Sequence, residues 1–371
     1  QEDKFENVNN TLTNQQVFNQ KAFNFLSPVM YLVMYFLTLG IYFIGAILIN
    51  EANMGDKIVL FGNMIVFSSY AMQVIMSFLM LAMIFMMLPR ASVSAKRINE
   101  VLDTPISVKE GNVTMNNSDI KGCVEFKNVS LTYSGSGASS VEGINFKAMK
   151  GQTIGVIGGT GSGKSSLVNL IPRLYDATQG EVLVDGVNVK DYDIEALRNK
   201  VGIVMQKAVL FKGTIRENMW MGKKGATDEQ IDEALEISQS KEFVDSKQGR
   251  LDYVIEQGGK NLSGGQRQRL TIARAIVRKP DVLILDDSAS ALDFATDAAL
   301  RKAIRGMNNS PTVFIVSQRA ASLMYADLII VLDDGQVAGM GTHDELLANC
   351  EVYKEIYESQ FKKADSEGGV A

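Results

Sequence analysis

Two long uncharged stretches dominate the first quarter of the chain. Ala22–Asn50 runs for 29 residues without a Lys, Arg, Asp or Glu, and Ile58–Pro89 runs for 32 more. A helix needs roughly 20 apolar residues to cross a bilayer core, so the pattern predicts two spans, about 24–48 and 60–88. The seven residues between them, Glu51–Lys57, suffice only for a turn, so the spans form a hairpin that enters and leaves on one side. Lys21 precedes the first span, and Arg90, Lys96 and Arg97 follow the second, whereas the turn holds only Lys57 beside two acids. Positive charge favours the cytoplasmic face. That places the turn outside and everything after Arg90 in the cytosol of a multi-pass protein of the cell membrane. The polar, Asn- and Gln-rich first 20 residues are expected as a helical extension of the first span.

Met72, Met76, Met80, Met83 and Met87 recur every three or four residues and so share one helical face, with Ser69, Gln73 and Ser77 beside them. Two readings fit: an adaptable wall for varied hydrophobic substrates, or ordinary packing and small polar contacts between helices. A helical piece, Ser92–Leu102, then reaches Thr104-Pro105, where a helix normally stops. Residues 1–104 therefore read as a membrane region with cytosolic extensions, 105–120 as a linker, 121–362 as a soluble domain and 363–371 as a flexible tail.

From Cys123 onward the pattern turns strand-like, with Val124, Phe126, Val129 and Leu131 separated by polar residues. An apolar run, Thr153–Ile157, leads into Gly158-Gly159-Thr160-Gly161-Ser162-Gly163-Lys164-Ser165, followed by Ser166. Strand, glycine loop and helix are the context of a phosphate-binding loop. Its backbone N–H groups converge on phosphate oxygens, and a helix starting near Lys164 aims its positive end at them. Lys164 reaches the β- and γ-phosphates, and the Ser165 hydroxyl can ligate Mg²⁺. The apolar run Val282–Leu285 ends in Asp286, a carboxylate placed to hold that ion directly or through water. Asn261-Leu-Ser263-Gly264-Gly265-Gln266 supplies a second helix N-terminus behind small residues, again suited to an anion.

Composition narrows the chemistry. With 37 Lys+Arg against 42 Asp+Glu the net charge is −5, which gives no electrostatic case for nucleic acid. The single His343 excludes any two-histidine metal site, and Cys123 and Cys350 are too few for a Cys₄ or Cys₂His₂ site. In the cytosol both are expected as free thiols.

Taken in order, these motifs resemble the ATP-binding cassette (ABC) transporters of the exporter type, in which membrane helices precede the cassette. The stretches Tyr175–Gly186, Leu210–Met219, the LSGGQ run, Ser290–Asp293 and Gly341–Leu347 carry the likeness. The resemblance implies an α/β P-loop NTPase fold, with a mixed sheet core, an antiparallel β subdomain and a helical signature subdomain behind an all-α transmembrane hairpin. It implies ATP and Mg²⁺ as cofactors. Tyr133, 25 residues before Gly158, would stack on adenine. Gln206 would act as the Q-loop glutamine that senses Mg²⁺, joining Ser165 and Asp286 as a metal ligand. Asp293 would be the D-loop aspartate linking two cassettes. ATP would lie between paired cassettes, with Ser263, Gly264, Gly265 and Gln266 gripping the γ-phosphate bound by a partner.

Two departures matter most. The family usually places Glu after the Walker B aspartate, and here Asp287 stands one methylene shorter. The switch loop normally carries His, and here Gln318 follows Thr312–Val316 and Ser317. Together with the run Tyr353–Phe361, this is similar to the degenerate half of bacterial heterodimeric multidrug exporters. The catalytic positions, Lys164, Gln206, Asp287 and Gln318, would then form a weakly hydrolysing site, while LSGGQ completes a competent site in a second half-transporter. The substrate implied is small and hydrophobic or drug-like. The family's six spans, against two here, and Gln at position 1 set the expectation of a C-terminal piece of a longer protein. Two alternatives are a regulatory subunit that never hydrolyses, and a soluble ABC ATPase acting outside transport, against which the two spans argue.

Overall fold

A computed structural model describes residues 2–114, 121–288 and 291–367. The chain forms two compact units, Gln1–Pro105 and Ile106–Ala371.

The first unit is a pair of helices, α1 (Glu2–Glu51) and α2 (Asp56–Leu102). The polar start and the first apolar run share α1. The second apolar run and Ser92–Leu102 share α2, so Pro89 does not divide them. The amides of Asp56 and Lys57 both donate to the Asn53 carbonyl, closing the turn. Pro28–Glu51 and Asp56–Leu102 are long and apolar enough to cross a bilayer. The helices meet along positions three or four apart, including Met34, Thr38, Ile41 and Gly45 on α1 and Met64, Ser68, Ala71 and Ile75 on α2. A side chain on Gly45 would stand 2.4 Å from the Met64 sulfur, so the glycine sets how closely the helices approach there. The methionine stripe lies off this seam. Met72, Met76, Met80, Met83 and Met87 are all exposed in the unit, so packing against α1 is not their role.

The second unit opens with residues strapped to its own surface. The Gly111 amide donates to Tyr192 and that of Val113 to Asp191, which fixes this part of the expected linker, while 115–120 lie outside the described residues. Along the chain come β1 (Val124–Leu131), β2 (Val141–Ala148), β3 (Thr153–Gly158), α3 (Lys164–Asn169), β4 (Gln179–Val184), β5 (Val187–Asn188), α4 (Ile194–Lys200) and β6 (Val201–Val204). The short pair β7 (Gly213–Thr214) and β8 (Val254–Ile255) brackets α5 (Ile215–Trp220), α6 (Asp228–Ile237) and α7 (Lys241–Asp245). There follow α8 (Gly264–Ile276), β9 (Val282–Asp286), α9 (Phe294–Arg305), β10 (Thr312–Val316), β11 (Leu328–Asp333), β12 (Gln336–Gly341), α10 (His343–Asn349) and α11 (Glu351–Glu367). Helix α11 runs past position 363, where the sequence suggests a tail. Residues 368–371 lie outside the described residues.

The main sheet has the order β12-β11-β3-β10-β9-β6, parallel except for β12. An antiparallel sheet, β2-β1-β4-β5, forms the other layer. Parallel strands buried on both faces read as unbroken apolar runs, and the two faces divide by alternation. Val282, Ile284, Phe314 and Val316 point into the core shared with the antiparallel sheet. Leu283, Leu285, Val313 and Ile315 point into the core shared with the helices. In β1, Phe126 and Val129 are three residues apart, yet both are buried in the same core. A register shift between them, with Asn128 at a left-handed φ of 50°, returns Val129 to the inner face.

Candidate functional site

Four neighbouring strands of the main sheet end on one edge. Val316 at the end of β10 pairs with Asp286 at the end of β9, and β10 also pairs in parallel with β3, which ends at Gly158. The fourth, β6, pairs with β9 and ends two residues before Gln206. Ligands of open α/β sheets bind outside the carboxyl ends of the strands. Here that edge forms a cleft of about 250 Å³ lined by Thr160, Gly161, Gly163, Lys164, Ser165, Ser166, Gln206, Asp286, Asp287 and Gln318. Residues scattered over more than 150 positions of sequence thus converge because the strands that precede them are parallel neighbours.

The glycines of the loop are required locally. Gly163 caps α3 with φ at +93°, and a Cβ there would stand 2.3 Å from the Ser140 carbonyl oxygen. A Cβ on Gly158 would stand 2.1 Å from the Leu332 carbonyl oxygen. Gly163→Ala is therefore expected to cost about 2 kcal/mol or more, from left-handed strain and a backbone clash together. Thermal unfolding should show a drop of several degrees, and an unchanged melting temperature would contradict the loop geometry described here.

Lys164 is 9% exposed. Its ammonium donates to the carbonyls of Gly158 (3.0 Å) and Gly159 (2.5 Å) and lies 3.4 Å from the Ser162 hydroxyl. Burial holds its pKa below the ordinary lysine value, opposed by the carboxylates of Asp286 and Asp287. The buried cation thus sits beneath the loop, under the N-terminus of α3. Across the cleft the Ser165 hydroxyl donates to Asp286 Oδ1 at 3.1 Å. Burial raises Asp286 above the usual carboxylate range, and Asp287 adds to the shift, while Ser165 and Lys164 oppose it.

The pair Ser165 and Asp286 fits Mg²⁺. Octahedral Mg²⁺ with oxygens at about 2.1 Å has adjacent ligands about 3 Å apart, close to the spacing between these two oxygens. Among the described residues no cluster of three or more His, Cys, Asp or Glu could hold a metal. The ion would therefore need water and phosphate oxygens to complete its shell, as Mg²⁺ prefers.

Gln206 Nε2 donates to Asp287 Oδ2 at 3.3 Å, and Asp287 has a left-handed φ of 46°. Tyr133 is half-buried beside the same loop. Its hydroxyl donates to Ser166 at 3.0 Å, and Tyr175 meets its ring edge-on at 4.9 Å between centroids. Ser263, Gly264, Gly265 and Gln266 are not part of this cleft. They begin α8 in a capping box, with the Ser263 hydroxyl accepting from the Gln266 amide and the Gln266 side chain accepting from the Ser263 amide. Asp293 caps α9 by accepting from the Thr296 amide and hydroxyl. Ser290 of the motif before it lies outside the described residues. His343 starts α10, and its Nδ1 lies 2.8 Å from the Tyr353 hydroxyl, in a packing role. Cys123 and Cys350 are free and buried, and burial raises the Cys123 thiol.

Ser140, which no sequence motif marks, and Ser317, which the sequence places only as the neighbour of Gln318, also line the cleft. Ser140 follows a stretch rich in Gly and Ser with no periodicity to mark it. Ser317 directly follows the apolar strand Thr312–Val316, whose end marks it. A larger cavity of about 350 Å³ lies between α9 and the sheet, but none of the loop residues lines it.

Residues 141–290 match the family model described as "ABC transporter". Over 99% of its length the chain is 38% identical to an uncharacterized ABC transporter ATP-binding protein of Mycobacterium tuberculosis (strain H37Rv), of which it covers 62%. It is 37% identical over 262 residues, 70% of the chain and 45% of the relative, to a Staphylococcus aureus protein (strain NCTC 8325) named "Putative multidrug export ATP-binding/permease protein". Among solved structures, a bacterial Atm1-family ABC exporter with ATP bound matches 93% of the chain and 60% of its own, with a TM-score of 0.77 and 26% identity. The chain thus spans about three fifths of the length of such full relatives. It carries the ATP-binding domain of the ABC transporter family, fused to a transmembrane region.

Proposed function

We propose that this chain is a subunit of an ABC exporter whose own nucleotide site binds ATP and hydrolyses it slowly. The presence of both Asp287 and Gln318 in the lining of one cleft carries this reading. ATP would lay its phosphates over the loop amides, with Lys164 on the β- and γ-phosphates and Tyr133 beside the adenine. Ser165 and Asp286, with Gln206 nearby, would hold Mg²⁺, which when bound would supply positive charge to the phosphate oxygens.

Hydrolysis needs a water aimed at the γ-phosphorus and a group to draw its proton. The Asp287 carboxylate is one methylene short of the usual glutamate and is engaged by Gln206. A misplacement of about 1 Å can cost roughly 10²-fold in rate. The Gln318 amide can donate to a γ-phosphate oxygen but cannot carry a proton or a charge.

The signature motif supports the second half of the reading. The first-turn amides of Gly264 and Gly265 have no acceptor within α8, and nothing stands within 4 Å of a Cβ built on Gly264. Packing in this chain does not require glycine there, whereas approach of a phosphate from another polypeptide would. The partner would be a second half-transporter with intact Glu and His, and the pair would export a small hydrophobic or drug-like substrate; the S. aureus relative is named a putative multidrug export protein. The charge flanking the spans favours a cytosolic cassette.

ATPase activity is the test. The purified chain in lipid should turn over ATP at less than about a tenth of the rate of the pair formed with an intact half-transporter. Equal rates per site would refute the proposal.

A further inference from the structure

One side chain of the C-terminal helix bridges two backbone groups of the switch loop. Gln360 Oε1 accepts from the Ala320 amide at 2.9 Å, and its Nε2 donates to the Gln318 carbonyl at 2.7 Å. A single carboxamide therefore grips the backbone on both sides of Arg319. Within the loop the Arg319 amide donates to the Ser317 hydroxyl, the Ser322 amide to the Arg319 carbonyl and the Leu323 amide to the Ala320 carbonyl.

The grip is built into the packing of α11. Tyr353, Ile356, Tyr357 and Gln360 are spaced three, one and three residues apart, which puts them on one face. Tyr353 is fully buried, and its hydroxyl meets His343 Nδ1 at 2.8 Å. Ile356 and Tyr357 pack against the core shared by the helices and the main sheet. This apolar stripe fixes the rotation and depth of the helix, and Gln360 continues it two turns beyond Tyr353. The carboxamide is thus delivered to the loop by a rigid element.

We infer that Gln360 is a positioning residue for the switch loop, fixing the backbone that carries Gln318 and so the reach of the Gln318 side chain toward the γ-phosphate. This rests on the proposed role of Gln318 given above. Glutamine suits the task chemically because one planar group supplies both an acceptor for an N–H and a donor for a C=O. Alanine supplies neither, and glutamate supplies only the acceptor.

Only ATP has a γ-phosphate, so the ratio of ATP to ADP affinity separates positioning from general stability. In the full chain in lipid, with fluorescent ATP and ADP analogues as probes, Gln360→Ala should weaken ATP binding about three- to tenfold and leave ADP binding within twofold. Gln360→Glu should fall between parent and Gln360→Ala. An equal loss for both nucleotides, or no loss for either, would overturn the inference. Gln318→Ala separates this result from the underlying reading. If Gln318→Ala lowers ATP but not ADP affinity while Gln360→Ala does not, Gln360 has no positioning role and the reading of Gln318 stands. If neither Gln318→Ala nor Gln360→Ala moves the ratio, both fall.

Discussion

Replacing Lys164 by Ala should abolish nucleotide binding at micromolar concentrations. The ammonium is the one cation beneath the loop among the residues lining the cleft, and it lies opposite two carboxylates. A triphosphate brings several negative charges toward Asp286 and Asp287. Without Lys164 only amide dipoles and the bound ion would oppose that repulsion. A charged hydrogen bond in a partly buried site contributes about 2–4 kcal/mol, which corresponds to a roughly 30- to 1,000-fold loss of affinity. The same substitution removes the donor that the Gly158 and Gly159 carbonyls share, so some loss of loop order is also expected. A thermal melt distinguishes the two effects, because lost affinity alone leaves the melting temperature of the apo chain nearly unchanged. Retention of parental affinity by Lys164→Ala, read by equilibrium dialysis with labelled ATP, would remove the basis for a nucleotide site here.

Much of this site was legible from sequence because each part sits at the end of a strongly patterned strand. The runs before Gly158, Asp286 and Gln318 are apolar, short and bounded by turn residues, and they form β3, β9 and β10. Parallel pairing then fixes which ends meet. The limits of the reading are equally physical. The burial of Val129 depends on a backbone irregularity at Asn128, which a period of two cannot express. The second span and the piece Ser92–Leu102 read as separate helices, yet one helix carries both and passes through Pro89, since a proline costs one backbone hydrogen bond that flanking turns can absorb. The hydrogen bonds of Gln360 cross 40 and 42 positions of sequence and join a helix to a loop. No local pattern encodes such a contact. The face of α2 that meets α1 was also hidden, because nearly every residue of the run is apolar and the periodicity is flat. The small residues Gly45, Ser68 and Ala71 mark the seam only once the partner helix is in view.

Restoring the two altered positions should convert the slow site into a working one. Asp287→Glu lengthens the carboxylate by one methylene toward the water, while the backbone at residue 287 keeps its left-handed turn. The longer side chain also changes the geometry of the contact with Gln206, now 3.3 Å from the carboxylate. Recovering a displacement of about 1 Å is worth up to roughly 10²-fold. Gln318→His adds a side chain that can accept or donate a proton near neutral pH, with an unperturbed pKa of about 6.5. A positioned general acid or base contributes about 10²- to 10⁴-fold when fully effective. The two groups line one cleft and act on one phosphoryl group, so their effects should be coupled rather than additive. The double variant is expected to raise ATP turnover of the lone chain about 30-fold or more, and each single variant about threefold to tenfold. The rate of the double variant should also become dependent on pH between about 5.5 and 7.5, where the parent's is flat, because only the variant places an imidazole at the phosphate. Asp287→Asn supplies the opposite arm. If it leaves the parental rate unchanged, the aspartate contributes nothing to turnover and the chain acts by binding ATP alone. If the double variant gains no activity, the sluggishness lies outside residues 287 and 318, and the identity of these two side chains is not what limits hydrolysis.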